Sequence, residues 1–424
     1  MEVTLFLSFF ALCLFIGVPI AFSLGLSSML FLVLSDIPLT IMPLRFFAGI
    51  NSFILLCIPG FILAGNIMNA ANITHQIVRF CNALFGHICG GLGLANVGGS
   101  MLFGGISGTA IADTTSIGAV MIPGMAKSGY DKPFAAAVTA ASSTIGPMIP
   151  PSVPMIIIGS LTSISVGKMF LAGAIPGLLL GIGMMITTYL LSKKRAYPQE
   201  DKFSFKRVIE EGRSAFWALS LVFVILYGII SGIFTPTEAS IVASLYALFL
   251  GMFIYRTLNV QKLKGILKDT VISSASLLIM VGMANIFAWV LACENIPEIL
   301  ASGILSLTDN PILIILLINL LLLFVGSFME TIAALIILTP SLLKVSEAIG
   351  MDPIHFGVMV VLNLMIGLTT PPMGVCMIVA AEIAETPLQK VIRALWPYLI
   401  CNISILMLVS YWPELSLWLP SMLN

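Results

Sequence analysis

The stretches GPMIPP (146–151) and GLTTPP (367–372) put a glycine and a proline pair at the same spacing in two otherwise apolar runs. Proline removes a backbone donor and clashes with the preceding turn, so each stretch frees carbonyls and amides that are costly to leave bare in lipid. Such backbone persists only against protein or a wet cavity. Freed carbonyls at helix C-terminal ends suit a small cation, and freed amides at half-helix N-termini suit an anion. The chemistry these residues can do is therefore solute and ion binding at mid-depth.

Two further stretches, GGISGTAIADTT (104–115) and VGSFMETIAA (325–334), put small, hydroxyl and acidic residues at the centre of long apolar runs. Asp113 and Glu330 are ionisable groups near membrane depth, where an ionisable group defaults to a functional hypothesis. Each is either a site residue or a cap on the helix that follows, where a carboxylate is favourable. The tetrapeptide GISG (105–108) also fits the pattern of an intramembrane serine protease, a remote alternative. Its Ser107 would need a histidine base within hydrogen-bond reach, and His75, His87 and His355 fall in loops or at a helix start.

The elements that must position these groups follow from composition. Of 424 residues, 59% are hydrophobic and 9% charged, and the mean hydropathy is +1.11. That describes an all-α polytopic membrane protein. The formal charge is zero, so no basic field points to nucleic acid. Seven cysteines without a CxxC pair read as small buried hydrophobes, and His75, Cys81, His87 and Cys89 lack zinc spacing. The N-terminus lacks a basic n-region and reads as a first membrane helix.

Most apolar segments are long enough to cross once, about 20 residues. The segments 92–125 and 312–343 are too long for one crossing and read as re-entrant helical hairpins. The segments 134–161 and 354–383 read as broken transmembrane helices. With the N-terminus outside, only Arg45, Lys168 and Lys344 of the 19 Lys and Arg fall outside, a strong positive-inside bias. The polar stretch 192–213 is then a cytoplasmic linker between two halves, 1–191 and 214–424. The halves align: Asp131 with Asp352, Gly146 with Gly367, Pro150 and Pro151 with Pro371 and Pro372. At a different offset Asp113 pairs with Glu330 and Thr114 with Thr331. The second half starts on the opposite side of the membrane, so the halves are expected to be inverted repeats.

Across nearly its whole length the chain resembles the large membrane subunit of tripartite ATP-independent periplasmic (TRAP) transporters, in the broader ion transporter superfamily. The resemblance is carried by IPGFILAGNIMNAANI (58–73), GISGTAIADTTSIGAVMIPGM (105–125), IGPMIPPSVPMIIIG (145–159), GIFTPTEAS (232–240) and GLTTPPMGVCM (367–377). Asn66 departs from it, standing where the family often carries an acidic residue. The resemblance implies an elevator-type importer of a small organic acid in the inner membrane of a Gram-negative bacterium. Sodium would be the coupling ion, with no other cofactor or metal. It implies two partners as well: a small membrane subunit of about four helices and a periplasmic substrate-binding protein. A stand-alone sodium- or proton-coupled carboxylate transporter of the same superfamily is the alternative.

Matching positions give one cation site from Ser107, Gly108 and Thr109 with Gly146, Pro147 and Pro150. Its counterpart uses Gly326, Ser327 and Thr331 with Gly367, Thr369, Thr370 and Pro372. Thr109, Ser152 and Thr370 are the expected substrate hydroxyls, since no lysine or arginine is placed at mid-depth. The segments 3–35 and 214–255 would form the scaffold.

Overall fold

The computed structural model describes residues 2–199 and 203–422, so Lys202, counted on the cytoplasmic side, and the middle of the polar linker lie outside the described residues. The described residues form twenty α-helices and no strand. The first half holds α1 (Glu2–Ile16), α2 (Ile20–Leu34), α3 (Ile41–Ile50), α4 (Cys57–Ala70), α5 (Ile73–Phe85), α6 (Gly91–Ser107), α7 (Ala110–Lys127), α8 (Lys132–Ser142), α9 (Val153–Thr162) and α10 (Val166–Lys194). The second holds α11 (Phe205–Ile230), α12 (Pro236–Phe249), α13 (Val260–Cys293), α14 (Ile296–Leu307), α15 (Pro311–Phe328), α16 (Thr331–Ala348), α17 (Pro353–Gly367), α18 (Val375–Ile383), α19 (Leu388–Tyr411) and α20 (Glu414–Ser421).

Seven of these helices are long and apolar enough to cross a bilayer. Two bent pairs add to them: 41–50 with 54–70, at 66°, and 132–148 with 153–162, at 40°. The segment 41–70 is therefore bent rather than one straight helix. The polar connection is also shorter than expected, because α10 continues to Lys194 and α11 starts at Phe205.

Both long segments fold as helical hairpins, α6–α7 and α15–α16, with two-residue tips at 108–109 and 329–330. The proline-rich stretches interrupt the other two segments. After α8 a 3-10 turn (Ser143–Met148) leads into extended backbone at Ile149 and Ser152 before α9. Between α17 and α18 the chain is irregular from 368 to 374. Both proline pairs, Pro150-Pro151 and Pro371-Pro372, are cis.

The elements interlock crosswise. Hairpin α6–α7 packs on α8 and its 3-10 turn, and hairpin α15–α16 packs on α17. Beyond each break the helix crosses to the other hairpin: α9 packs on α16, and α18 packs on α7 and α8. Around this body, α1, α2, α3 and α4 pack with α12 and α13. There Phe6 is buried with its ring 5.7 Å from Phe31 and 4.6 Å from Phe287, joining α1, α2 and α13. The Ser244 hydroxyl donates to the Gly60 carbonyl at 2.7 Å, joining α12 to α4.

Buried amides and hydroxyls tie each hairpin to its broken helix. Ser100 of α6 meets Ser142 of α8 at 2.9 Å. In the second half Asn363 of α17 donates to the Asn319 side-chain oxygen at 2.8 Å and to its carbonyl at 3.0 Å. Such pairs satisfy polar groups that would be expensive in an apolar interior, and they fix the register of the helices they join.

Candidate functional site

Each hairpin tip sits on the break of its own half. The Val153 amide donates to the Gly108 carbonyl at 3.3 Å, and a Cβ on Gly108 would lie 2.8 Å from the Pro151 carbonyl oxygen. In the second half the Met373 amide donates to the Ser327 carbonyl at 3.3 Å, and Gly326 lies against Gly367. Gly108 is thus brought beside Pro151 and Val153, and Gly104 and Gly105 against Gly146 and Pro150, while Gly326 meets Gly367 and Ser327 meets Met373. Thr369 and Thr370 both donate to the Ile366 carbonyl, at 2.9 Å and 2.8 Å. Thr331 is buried, and its hydroxyl makes no hydrogen bond among the described residues. The first break is buried throughout Pro147 and Pro150, whereas Pro372 in the second is exposed.

The caps correct the register read from sequence. Thr109 caps α7, its hydroxyl accepting from the Ala112 amide at 3.4 Å. Glu330 caps α16, Oε2 accepting from Ile332 at 2.8 Å and Ala333 at 3.1 Å. Glu330 therefore corresponds to Thr109, not to Asp113. The Thr109 and Glu330 caps share the spacing that relates Asp131 to Asp352 and Gly146 to Gly367. The separate offset pairing Asp113 with Glu330 and Thr114 with Thr331 does not match the positions of the hairpin tips.

Asp113 is not a cap. It is fully buried, neither carboxylate oxygen makes a hydrogen bond with the described residues, and the Ser100 hydroxyl faces it. A Cβ on Gly146 would lie 3.9 Å from the Asp113 Cβ, so the carboxylate is carried just below the first break.

A cavity of about 400 Å³ opens between α4, α13 and the two tips, within the size range of small-molecule sites. Ser107 and Thr109 reach it from the first tip and Glu330 from the second. The other expected substrate hydroxyls do not. Ser152 is buried and caps α9, accepting from the Met155 amide at 3.3 Å, and Thr370 is turned to its own helix. Sequence reasoning missed the wall supplied by α4 and α13: Asn66, Asn69, Ser273 and Ser276. Asn66 donates to the Thr270 hydroxyl at 2.9 Å, and its departure from the family pattern was the one sign that the position mattered.

Ser107 has a different setting from a nucleophile. Its hydroxyl points to the Thr109 carbonyl at 3.5 Å. The His355 ring is bonded to the Val409 carbonyl at 2.8 Å, and the His87 ring lies against Phe203.

Residues 7–415 match the family model described as the tripartite ATP-independent periplasmic transporter, DctM component. The chain belongs to this DctM family. It is 44% identical over 410 residues to the sialic acid TRAP transporter large permease protein SiaM of Vibrio cholerae, covering 96% of each chain. It is 39% identical over 403 residues to the C4-dicarboxylate TRAP transporter large permease protein DctM of Pseudomonas aeruginosa, covering 95% of this chain and 94% of that one. The isethionate TRAP transporter permease protein DctMQ of Oleidesulfovibrio alaskensis is 37% identical over 412 residues, which span 97% of this chain and 65% of that protein. The fold is also that of the Alcanivorax borkumensis YdaH transporter, with a TM-score of 0.63 at 13% identity, over 88% of this chain and 87% of that one. Membership of the DctM family makes the chain a multi-pass membrane permease subunit, and the seven apolar helices agree with that.

Proposed function

We propose that this DctM-family subunit imports a small organic acid, driven by a sodium gradient, after a periplasmic binding protein delivers the solute. The observation that carries the reading is the docking of each hairpin tip on its own break beside one cavity that reaches both tips. Carbonyl and hydroxyl oxygens at Ser107, Gly108, Thr109, Gly146, Pro147 and Pro150 form one cation site. Gly326, Ser327, Thr331, Gly367, Thr369, Thr370 and Pro372 supply its counterpart. Asp113, buried beside the first break, places a carboxyl group against that site. The bound cations offset the charge of a carboxylate in a cavity that carries no lysine or arginine among its lining residues, which links anion entry to sodium.

The hairpins and broken helices move as a transport domain against a scaffold of α1, α2, α11, α12 and the arms α3–α4 and α13, in an elevator cycle. The two halves, 1–191 and 214–424, are inverted repeats joined by a cytoplasmic linker, and the N-terminus is periplasmic. The crosswise packing of α9 on α16 and α18 on α7 supports one moving body, because neither hairpin can shift without the other's broken helix. A small four-helix subunit completes the membrane complex as a heterodimer in the inner membrane. In its favour, the matched region covers only 65% of the relative named DctMQ. The chain is a transporter and not an enzyme.

The test is uptake of sialic acid and C4-dicarboxylates, the solutes in the relatives' names, into proteoliposomes holding this chain and its small subunit. Uptake that needs both an inward sodium gradient and the soluble protein supports the reading. Sodium-driven uptake without the soluble protein would make this a stand-alone carrier and place specificity in its own cavity.

A further inference from the structure

Ser52 sits in the bend between α3 and α4, and its hydroxyl meets the Ser160 hydroxyl of α9 at 3.3 Å. The bend itself is fixed to the scaffold. The Thr237 hydroxyl of α12 donates to the Phe53 carbonyl at 2.9 Å, and a Cβ on Gly49 would lie 2.5 Å from the Asn285 Cβ, so α3 rests directly on α13. Across the contact, α9 packs on α16 and belongs to the body built from the hairpins and broken helices. The packing between these two sides is loose. A cavity of about 200 Å³ lies beside the serine pair, with Leu55 of the bend, Ile157 of α9, Asn285 of α13 and Ile336 of α16 in its walls. Side chains facing a cavity forgo the dispersion contacts of a close-packed face, and one neutral hydrogen bond adds little net free energy. The contact is thus specific in geometry and weak in energy, as suits one that parts and re-forms.

Its position gives it a direction. The solute cavity reaches Asn69 in the last turn of α4, while the serine pair lies at the opposite end of that helix. Arg45, shortly before Ser52, and Lys168, shortly after Ser160, are two of the cations that the charge bias leaves outside. The bond therefore closes the outer side while the cavity reaches toward the inner one. We propose that Ser52 and Ser160 form a latch that holds the moving body in its inward-facing position, and that this bond must open before the body takes up solute from outside. The proposal rests on the elevator reading and names a contact that the movement must break.

The test cross-links the pair. The full chain carrying Ser52→Cys and Ser160→Cys, in proteoliposomes with its small subunit and the soluble protein, is oxidised with copper phenanthroline. Uptake of sialic acid and of succinate is then driven by an inward sodium gradient. Oxidation is expected to remove two thiols from reaction with maleimide-polyethylene glycol and to lower uptake about tenfold or more, because a body locked in one state cannot complete the cycle. Dithiothreitol should restore both readings, which a misfolded variant could not do. Each single-cysteine variant, which keeps all seven native cysteines, should respond to the oxidant no more than the unaltered protein does. A disulfide that leaves uptake unchanged, no disulfide at all, or an equal loss in a single variant would overturn the latch and leave the transport reading standing. Absence of sodium-driven uptake of either solute before oxidation would overturn both.

Discussion

Gly104 of α6 and Gly146 of the first break touch backbone to backbone: a Cβ built on Gly104 would lie 2.3 Å from the Gly146 Cα. The second half repeats the contact with Gly367 and Gly326, where a Cβ on Gly367 would lie 2.6 Å from the Gly326 carbonyl carbon. Nothing at either place can yield except backbone.

These contacts predict an asymmetric pattern. Gly104→Ala and Gly367→Ala must push the hairpin off its break, at a cost of about 1–3 kcal/mol or more, and transport should be lost. Gly146→Ala meets its nearest neighbour, the Gly104 Cα, at 3.3 Å and should be clearly milder. Thermal unfolding of the three purified variants, with uptake alongside, checks the order; equal effects of Gly104→Ala and Gly146→Ala would contradict it.

Asn363 holds the second hairpin through two hydrogen bonds to Asn319. Asn363→Ala leaves the Asn319 side-chain oxygen without a donor in a buried site and should destabilise the protein by about 1–3 kcal/mol. Ser142→Ala removes a single bond to Ser100, itself flexible in its choice of partner, and should cost less. Denaturation midpoints of the two variants make the comparison.

Outside the spans, the Tyr197 hydroxyl donates to the Asp131 carboxylate at 2.7 Å, and Arg195 pairs with the same carboxylate at 3.2 Å. The Tyr197 ring also packs on Tyr130, with centroids 4.5 Å apart. This fastens the chain leaving α10 to the start of α8. Burial, and then the hydrogen bond to Asp131, push the phenol above its ordinary value of 10.0. The folded state therefore holds this proton more tightly than the unfolded chain. The contribution is complete below the ordinary value and is lost as pH rises through the raised one. Tyr197→Phe keeps the ring and loses the bond. The stability advantage of the unaltered protein over it should be constant through neutral pH and shrink above about pH 10, as followed by unfolding at each pH.

Coupling to more than one sodium makes uptake of a monoanion electrogenic. With two sodium ions per solute, one net charge enters per cycle and contributes about 2.3 kcal/mol per 100 mV. An inside-negative potential imposed on proteoliposomes should then accelerate uptake, and Ser107→Ala and Ser327→Ala should weaken its sodium dependence. Uptake of a monocarboxylate indifferent to voltage would rule out this stoichiometry.

The breaks at 146–151 and 367–372 were legible in the sequence because glycine and proline act locally. They disrupt a helix whatever surrounds it, and an apolar run with such a disruption has few places to go in a bilayer. The hairpins were legible for a similar reason, since 92–125 and 312–343 exceed one crossing and carry small residues at their centres. Hairpin register was not legible: small and apolar residues align nearly as well four positions apart, and only the caps at Thr109 and Glu330 resolve it. Nor could the sequence separate a hydroxyl that caps a helix, as Ser152 does, from one that reaches a cavity, as Thr109 does while also capping. That difference depends on which side of the helix end its neighbours leave open. Asn66, Asn69, Ser273 and Ser276 come together from α4 and α13, about two hundred residues apart, and no local signal marks such a wall. The sequence by itself determined where the helices break and what chemistry the breaks allow, because those depend on a few adjacent residues. Tertiary structure alone decided which break meets which tip and which side chains share the cavity, because these depend on how distant helices pack.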